Sequence, residues 1–304
     1  MSTKTQSILS QQDGQRLSGC LVCGNKVSFL GKNSDYVYGC CNSCKTVQLS
    51  PVPDQADLEK AYSSSLFAAR SHGQGDPDEI RRSSNRYYVS IAEALSDYRV
   101  SGKVVDYGAG WGGLCEVLLA RGFNCRGVEL AENMVQECQS RKLPVEQCTL
   151  ESLVERGDRL EAIVLCGVFE HIANPRTFLK NAHALIEPNG LIVSLQPTAS
   201  FAMLLAFLSR LGRKDKPLPS LFWFFDAPWH VALYSLEGMC SLAHECGFEL
   251  VDIRPAPMGR MPGLYGFIQR LSEWTNKIGW RLFKTKWPLI TSHTFVFRRL
   301  AESH

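Results

Sequence analysis

From Gly102 onward, short apolar runs alternate along the chain with segments that carry apolar residues at helical spacing. Four of these runs predict β-strands: 103–107 (KVVDY), 124–130 (NCRGVEL), 161–166 (EAIVLC) and 190–197 (GLIVSLQP). Strands that alternate with helices favour a parallel, doubly wound sheet. We therefore predict an α/β fold with a Rossmann-like, mostly parallel central sheet.

Local signals place two helices more closely. Asn174 and Pro175 form a good pair for an N-cap and a first turn, and Pro188-Asn189-Gly190 predicts that this helix ends near Ile186. A second helix is predicted over 79–98 because apolar residues share one helical face there. Those residues are Tyr87, Tyr88, Ile91, Ala92 and Leu95.

The part of the chain before the alternating pattern divides into three segments. Residues 1–19 are polar and predict a disordered leader, and residues 20–53 contain two short cysteine pairs. Residues 54–101 predict a helical linker, mobile from 63 to 79, and N-terminal helices. The sheet domain then occupies 102–304.

Two apolar and aromatic segments, 198–230 and 258–287, interrupt the sheet domain and are predicted insertions. The second alternates aromatic residues with basic ones at helical spacing. Such helices can cap a substrate pocket, lie on an anionic membrane surface or simply pack on the sheet. The sequence leaves these uses open, so peripheral membrane contact through both insertions is one hypothesis.

Composition and charge restrict the compartment and the partners. The net charge of +3 over 304 residues gives no whole-chain signal for nucleic acid, although 251–304 carries nine Lys/Arg against three Asp/Glu, a net of +6. The first residues lack the apolar core of a secretory signal, and no apolar run is long enough to span a bilayer. We expect a cytoplasmic protein, with membrane contact at most peripheral.

In a reducing compartment, cysteines serve as metal ligands or buried thiols rather than disulfides. Cys20-x-x-Cys23 and Cys41-x-x-Cys44 have the spacing of paired zinc knuckles and predict a structural four-thiolate Zn²⁺ ribbon over 20–53. Cys40 is an alternative ligand with a less suitable spacing. Plain reduced thiols are the other interpretation.

A glycine-rich turn follows the first predicted strand of the sheet. Glycines at 108, 110 and 112 let the backbone turn sharply and approach a ligand at a helix N-terminus. Glu129 follows about twenty residues on, at the end of the next strand, where a ribose needs a hydrogen-bond acceptor. NAD and S-adenosylmethionine both carry such a ribose, so the turn and Glu129 leave the choice open.

The order of four motifs resembles the class I S-adenosylmethionine-dependent methyltransferases. The motifs are VVDYGAGWG, GVELAENM, EAIVLCGVFEHIANP and LIEPNGLIVSLQP, and the resemblance covers residues 100 to about 255. It is strongest to the branch whose fourth strand ends in Glu-His followed by Asp-Pro or Asn-Pro. Where the family usually has Phe-Asp before this strand, the chain has Leu160-Glu161.

The resemblance implies a set of S-adenosylmethionine-binding residues. Gly108, Ala109 and Gly110 would line its methionine and ribose, and Asp106 would support the amino group. Glu129 would hold the ribose hydroxyls. The adenine would rest near the loop that contains Leu150, and the methyl group would be flanked by Cys166 and Gly167.

Methyl transfer to a hydroxyl or a carbon acid also needs a base. Glu170 and His171 follow the fourth strand at the edge where ligands bind in open α/β folds. His230 lies in PWHVALYS, which resembles a motif of polysaccharide-associated members, although Trp229 stands where sugar C-methyltransferases have Glu. All three are candidate catalytic residues; for both histidines a structural role is the alternative. The other histidines are expected at the surface or in packing.

Relatives in sugar and small-molecule pathways carry a similar N-terminal cysteine ribbon followed by a stretch like SPVPDQADLEKAY. The leading hypothesis is therefore an S-adenosylmethionine-dependent methyltransferase acting on a small-molecule or carrier-linked acceptor, such as a sugar or polysaccharide precursor or a secondary metabolite. An RNA base methyltransferase that binds its substrate through the ribbon is an alternative, weakened by the weakly basic ribbon and by CGVFEHI after the fourth strand. A non-catalytic binding protein with this fold is another. The oligomeric state is left open.

Overall fold

The computed structural model describes residues 17–54, 56, 58, 76–209, 218, 224–258 and 263–301. The strands in these ranges are β1 (Val27–Asn33), β2 (Tyr36–Cys41), β3 (Val47–Leu49), β4 (Lys103–Tyr107), β5 (Asn124–Glu129), β6 (Val145–Gln147), β7 (Leu160–Cys166), β8 (Ile186–Pro197), β9 (Ala232–Leu233), β10 (Phe248–Pro255) and β11 (Ser292–Arg299). The helices are α1 (Pro77–Asp97), α2 (Gly113–Ala120), α3 (Glu132–Ser140), α4 (Leu150–Glu155), α5 (Pro175–Leu185), α6 (Ala199–Ser209), α7 (Leu236–Glu245) and α8 (Gly263–Phe283).

The large sheet has seven strands in the order β10-β11-β8-β7-β4-β5-β6. Strands β8, β7, β4, β5 and β6 run parallel, and β11 runs antiparallel to both of its neighbours. The expected α/β, Rossmann-like, mostly parallel sheet is therefore confirmed. Because β4 and β7 are neighbours, the loops that follow them meet at the carboxyl edge of the sheet.

Helices cover both faces of this sheet. Alternate strand residues point to opposite faces, so Val104 packs with α1, α2 and α3, whereas Val105 packs with α4, α5 and α7. Cys20, Cys41 and Cys44 lie in the second of these clusters. The cysteine segment is thus part of the core on one face of the large sheet.

A second sheet has four strands in the order β1-β2-β3-β9. It pairs the N-terminal strands with Ala232–Leu233, far along the chain. In its last pair, Val47 lies opposite Leu233 and Gln48 opposite Ala232. Next to these two pairs, the amide of Leu49, at the end of β3, donates to the carbonyl of Val231, just before β9, at 2.9 Å. The cysteine segment therefore shares its sheet with the stretch that follows His230.

Most predicted boundaries lie within a few residues of those observed. Asn174 caps α5 by accepting from the Thr177 amide at 3.3 Å, as predicted. The helix end predicted near Ile186 is confirmed within one residue, because α5 ends at Leu185. Residues 188–190 lie inside β8, where Asn189 adopts a φ of 66°. The turn residues there accompany a register shift between β7 and β8.

Some predictions fall partly outside the described residues. Residues 1–16 of the leader lie outside them, and Ser18, which is described, bonds to Ser50. The mobile linker lies outside them from 63 to 75, and its last residues, from Asp76, cap and begin α1. The first insertion is described only as α6, Leu218 and residues 224–230.

The cap of α7 also fastens the cysteine segment. The Ser235 hydroxyl accepts from the Gly238 amide at 2.9 Å and donates to the Cys44 carbonyl. Replacement by alanine removes both bonds, so we expect Ser235→Ala to lower the free energy of unfolding by about 1–2 kcal/mol. Urea titration followed by circular dichroism measures the change.

The control is Ser83→Ala, which removes an exposed hydroxyl that bonds back to Ile80 within α1. This variant should remain within about 0.5 kcal/mol of the parent protein. Equal stability of the two variants would show that Ser235 does not couple α7 to the cysteine segment.

Candidate functional site

The turn between β4 and α2 has the backbone geometry of a ligand cradle. Gly108, Gly110 and Gly112 have φ angles of 72°, 53° and 79°, a region that side chains disfavour. A Cβ on Gly108 would stand 2.7 Å from Val168, so the turn packs directly on the loop after β7. The amides of Gly108 and Ala109 both donate to the Val128 carbonyl, which fixes the turn against β5.

Glu129, at the end of β5, faces this turn. Its carboxylate accepts hydrogen bonds from the amides of Gly110, Leu130 and Ala131 at 2.7–2.9 Å. These three bonds hold the carboxylate beside the turn and occupy most of its roughly four acceptor positions. A ribose hydroxyl would therefore share Glu129 with backbone amides.

Asp106 lies at the base of the same turn and is only 1% exposed. Its Oδ2 has no hydrogen-bond partner among the described residues. Burial raises the pKa of this carboxyl to about 7, with a further contribution from the Glu129 charge. The carboxyl accepts a hydrogen bond from the Cys115 backbone, and its other oxygen is suited to a cationic group such as the amino group of S-adenosylmethionine.

The other predicted cofactor residues occupy three positions around the cradle. Cys166 ends β7, and burial together with the charges of Asp106 and Glu170 raises the pKa of its thiol. Gly167 follows with a φ of 68°, and its amide donates to the Leu195 carbonyl at 2.8 Å. The Leu150 side chain is buried in the core at the start of α4, so only its backbone could contact an adenine.

The three predicted catalytic residues come together. One ligating atom from each of Glu170, His171 and His230 lies within 4.8 Å of the others. The two imidazole rings form an edge-to-face pair with centroids 4.8 Å apart. Glu170 and His171 stand on a short 3-10 helix after β7, whereas His230 arrives from the first insertion. The set can relay a proton, and its two imidazoles and one carboxylate can also hold a metal ion.

Backbone carbonyls determine the tautomers of both histidines. His171 Nδ1 lies 2.8 Å from the Trp229 carbonyl oxygen, and His230 Nδ1 lies 3.3 Å from that of Phe224. A carbonyl can only accept, so in each ring Nδ1 carries the hydrogen. The lone pair of each neutral imidazole is therefore on Nε2.

Glu170 is 3% exposed, and burial raises the pKa of its carboxyl to about 8. Its Oε2 has no hydrogen-bond partner among the described residues. Neighbouring Tyr234 is also buried, and its hydroxyl is likewise without a partner in the described part of the chain. Burial and the Glu170 charge raise the Tyr234 pKa well above its usual value.

The four predicted metal ligands form a second cluster. The Sγ atoms of Cys20, Cys23, Cys41 and Cys44 all lie within 4.8 Å of one another, with 3.6 Å between Cys20 and Cys44 and 3.5 Å between Cys23 and Cys41. Tetrahedral Zn–S bonds of about 2.3 Å would place sulfurs about 3.8 Å apart. The cluster therefore fits a metal ion coordinated by four thiolates. Cys40 points elsewhere, with its Sγ 3.7 Å from the sulfur of Met203.

Both cysteine turns repeat the same backbone bonds. The Cys20 amide donates to the carbonyl five residues on, and the Gly24 amide donates back to Cys20. Cys41 and Lys45 make the equivalent pair in the second turn. Gly24 and Lys45, each directly after the second cysteine of a turn, have positive φ angles of 71° and 62°. Two matching turns are typical of paired metal knuckles.

Neither Tyr234 nor Gln196 is among the predicted site residues, although PWHVALYS contains Tyr234 and LIEPNGLIVSLQP contains Gln196. Gln196, at the end of β8, is fully buried, and its Nε2 has no partner among the described residues. The signal for Gln196 was a polar residue within the apolar run GLIVSLQP. The signal for Tyr234 was its aromatic position in PWHVALYS, whereas its place in the core depends on contacts with residues distant in the chain, such as Phe169.

Comparison with known proteins agrees with the fold. A family described as a methyltransferase domain matches residues 80–253, more than half of the chain. The chain is thus a class I S-adenosylmethionine-dependent methyltransferase by fold and motif order. It belongs to this methyltransferase domain family.

Individual relatives cover less of the chain. The ubiquinone biosynthesis O-methyltransferase of Azorhizobium caulinodans is 30% identical over 97 residues, which is 30% of this chain and 38% of that protein. The Maricaulis maris enzyme of the same name is 31% identical over 98 residues, 39% of its length. The chain therefore matches well under half the length of these relatives.

Two solved structures share the fold. A SAM-dependent methyltransferase from Archaeoglobus fulgidus aligns with a TM-score of 0.51 at 16% identity, over 78% of this chain and 100% of that one. The magnesium protoporphyrin IX methyltransferase from Synechocystis PCC 6803 with bound SAH aligns with a TM-score of 0.51 at 15% identity, over 81% and 100%. At these identities the likeness concerns the fold alone.

Asp106 should make cofactor affinity depend on pH. With its pKa raised to about 7, the carboxyl ionises as pH rises through that value, and only the ionised form attracts a cationic amino group. We expect S-adenosylmethionine to bind more tightly at about pH 7.5 than at about pH 5.5 in calorimetric titration. Asp106→Asn should bind about tenfold or more weakly and lose this dependence.

Asp252→Asn is the matched control, because this carboxyl pairs with Arg254 on β10 at the edge of the sheet. It should keep both the affinity and the pH dependence. A pH dependence that persists unchanged in Asp106→Asn would exclude Asp106 as its source.

Proposed function

We propose that this methyltransferase transfers the methyl group to a hydroxyl of a small-molecule or carrier-linked acceptor, with Glu170, His171 and His230 as the proton-accepting cluster. A sugar or polysaccharide precursor, or a secondary metabolite, is the acceptor class that we favour. The observation that carries the proposal is the convergence of these three side chains beside the end of β7. Hydroxyl acceptors also agree with the relatives named O-methyltransferases.

Methyl transfer is an in-line displacement, so the protein contributes by positioning and by taking up a proton. Bound S-adenosylmethionine supplies the methyl group and the sulfonium leaving group. Asp106, Gly108 and Gly110 would hold its methionine part, and Glu129 its ribose. Cys166 and Gly167 lie between this cradle and Glu170. The charges of Asp106 on one side and Glu170 on the other both raise the pKa of the Cys166 thiol.

The cluster suits a hydroxyl because its lone pairs are already arranged. Because Nδ1 of both rings faces a carbonyl, Nε2 is the nitrogen through which His171 or His230 would take up a proton. The burial that raises the pKa of Glu170 to about 8 makes this carboxylate a stronger base than an exposed one. A proton accepted by an imidazole would be stabilised by the neighbouring carboxylate.

The base can be tested by methyl transfer from labelled cofactor to a size- and charge-fractionated cell extract. We expect Glu170→Gln, His171→Asn and His230→Asn each to lower the transfer rate by about 10²–10⁴-fold at saturating cofactor, while the cofactor Kd changes little. The parent rate should rise with pH through about 8, as Glu170 ionises, and this rise should be lost in Glu170→Gln.

His244→Gln, which changes an exposed histidine on α7, should keep the parent rate. Retention of full activity in all three cluster variants would remove the cluster from the chemistry. Label that enters RNA instead of small or carrier-linked molecules would overturn the proposed acceptor class.

We further propose that the four cysteines hold a structural Zn²⁺. Four thiolates would complete the coordination of the ion, so no coordination position would remain for a substrate. The role of the ion would be to hold together the two cysteine turns that connect to β1–β3. Because β3 pairs with β9, the ion would also support the segment that follows His230. The two matching knuckles and the sulfur distances support this assignment.

Metal analysis of the purified protein should find about one zinc equivalent, lost in Cys41→Ser and kept in Cys40→Ser. The neighbouring cysteines differ by one position, and only Cys41 belongs to the cluster. Cys41→Ser should also lower the thermal midpoint, because metal binding contributes to the folding free energy. Equal zinc content in the two variants would contradict the ligand set.

A further inference from the structure

Helix α8 is packed against the protein by its polar face. The residues that it turns inward include Asn276, 9% exposed, and Gly279, on which the ring of Trp287 packs. Asn276 accepts from the Trp287 indole at 2.9 Å and donates to the Leu289 carbonyl. Glu273, on the same side, forms an ion pair with Arg86 of α1. Together with the Trp280 ring, which packs on His293, these contacts hold the inward side of the helix.

The opposite face of α8 is apolar and exposed to solvent. Its residues recur every three or four positions, so they form one stripe along the helix. They are Phe267 at 56% exposure, Leu271 at 55%, Trp274 at 61%, Ile278 at 41% and Leu282 at 67%. A surface helix of a globular protein normally has the reverse arrangement, with its apolar side facing the core. A contiguous exposed apolar stripe marks a surface that binds something.

Basic side chains line one edge of this stripe. At 3.6 residues per turn, Arg270, Lys277 and Arg281 fall within about 60° of Trp274 on one side. Lys284 and Lys286 follow in the short 3-10 helix, and all five are exposed. The acidic residue of the helix, Glu273, pairs with Arg86 and interacts electrostatically with Lys277, so the five basic side chains outnumber it. The exposed face thus combines apolar and cationic groups.

We propose that the exposed face of α8, from Phe267 to Lys286, docks the protein onto an anionic membrane surface. The helix would lie in the plane of the interface with its apolar stripe between the acyl chains and its basic edge among anionic headgroups. Among the described residues, no helix combines the length and apolarity needed to cross a membrane. The contact is therefore peripheral.

The charge of α8 favours a membrane over a second copy of the chain. A twofold interface would bring the same patch of each copy together, and with it two basic edges. Like charges at such an interface repel, whereas anionic headgroups attract the same residues. Each basic side chain near an anionic surface changes binding by about fivefold.

Co-sedimentation with vesicles tests the proposal on the full chain. We expect binding to phosphatidylcholine vesicles that contain about one third phosphatidylglycerol, weaker binding to pure phosphatidylcholine, and a decrease on adding salt. Trp274 reports insertion directly, because its fluorescence should shift to shorter wavelength with anionic vesicles. In the Trp274→Phe variant, vesicle binding should remain, and the part of the fluorescence shift that comes from Trp274 should disappear.

Paired variants separate the two components of the face. Lys277→Gln with Arg281→Gln should weaken binding about 25-fold, and Leu271→Ser with Ile278→Ser should weaken it at least tenfold. The matched controls are Lys103→Gln with Lys180→Gln, two exposed lysines outside α8, and Phe29→Ser, an exposed apolar residue of β1. These controls should bind like the parent.

All the altered side chains are exposed, so the variants should unfold at the parent temperature, which circular dichroism verifies. Two results would overturn the proposal. One is the absence of binding to anionic vesicles in the parent protein. The other is concentration-dependent dimerisation without lipid that Leu271→Ser with Ile278→Ser abolishes, which would assign the stripe to a second copy. Neither result bears on methyl transfer, which the assay with labelled cofactor tests separately.

Discussion

The pairing of β3 with β9 is the contact on which the candidate site depends. It is short, with Val47 opposite Leu233 and Gln48 opposite Ala232, but it continues the cysteine segment directly into the chain that leaves His230. Asn33 adds a bond to the Phe225 carbonyl at 2.7 Å, and Tyr38 packs on the Phe225 ring. His230 therefore meets His171 because the small sheet holds its segment there. Reinforcing that sheet gives the cysteine cluster a role beyond local stability.

The features that sequence alone predicted are governed by neighbouring residues. The glycine turn is set by φ angles that few residues adopt, the start of α5 by Asn174 and Pro175, and the cysteine cluster by two-residue spacings. The parallel order of β4, β5 and β7 follows from the alternation of strands and helices. The convergence of Glu170 and His171 with the cofactor edge follows from their place after β7.

The features that sequence could not predict depend on distant contacts. A two-residue strand such as Ala232–Leu233 has no periodicity, and its partner is remote in the chain. Pro188-Asn189-Gly190 marks the end of α5 by local chemistry, but its place inside β8, between the residues paired with β7, is a tertiary feature. The basic and aromatic spacing of α8 predicted an amphipathic helix, but periodicity does not say which face is packed. The polar contacts of Asn276 and Glu273 decide that.

The β3–β9 contact also constrains the order in which the chain can fold. During synthesis the N-terminal segment emerges first, and its two cysteine turns form from local bonds alone. Its sheet, however, stays one strand short until residues near Leu233 have left the ribosome. Closing so long a loop is slow compared with forming a turn. A nascent chain therefore carries an exposed strand edge at β3 until most of the large sheet has been made, and this edge is where aggregation of incomplete chains would begin.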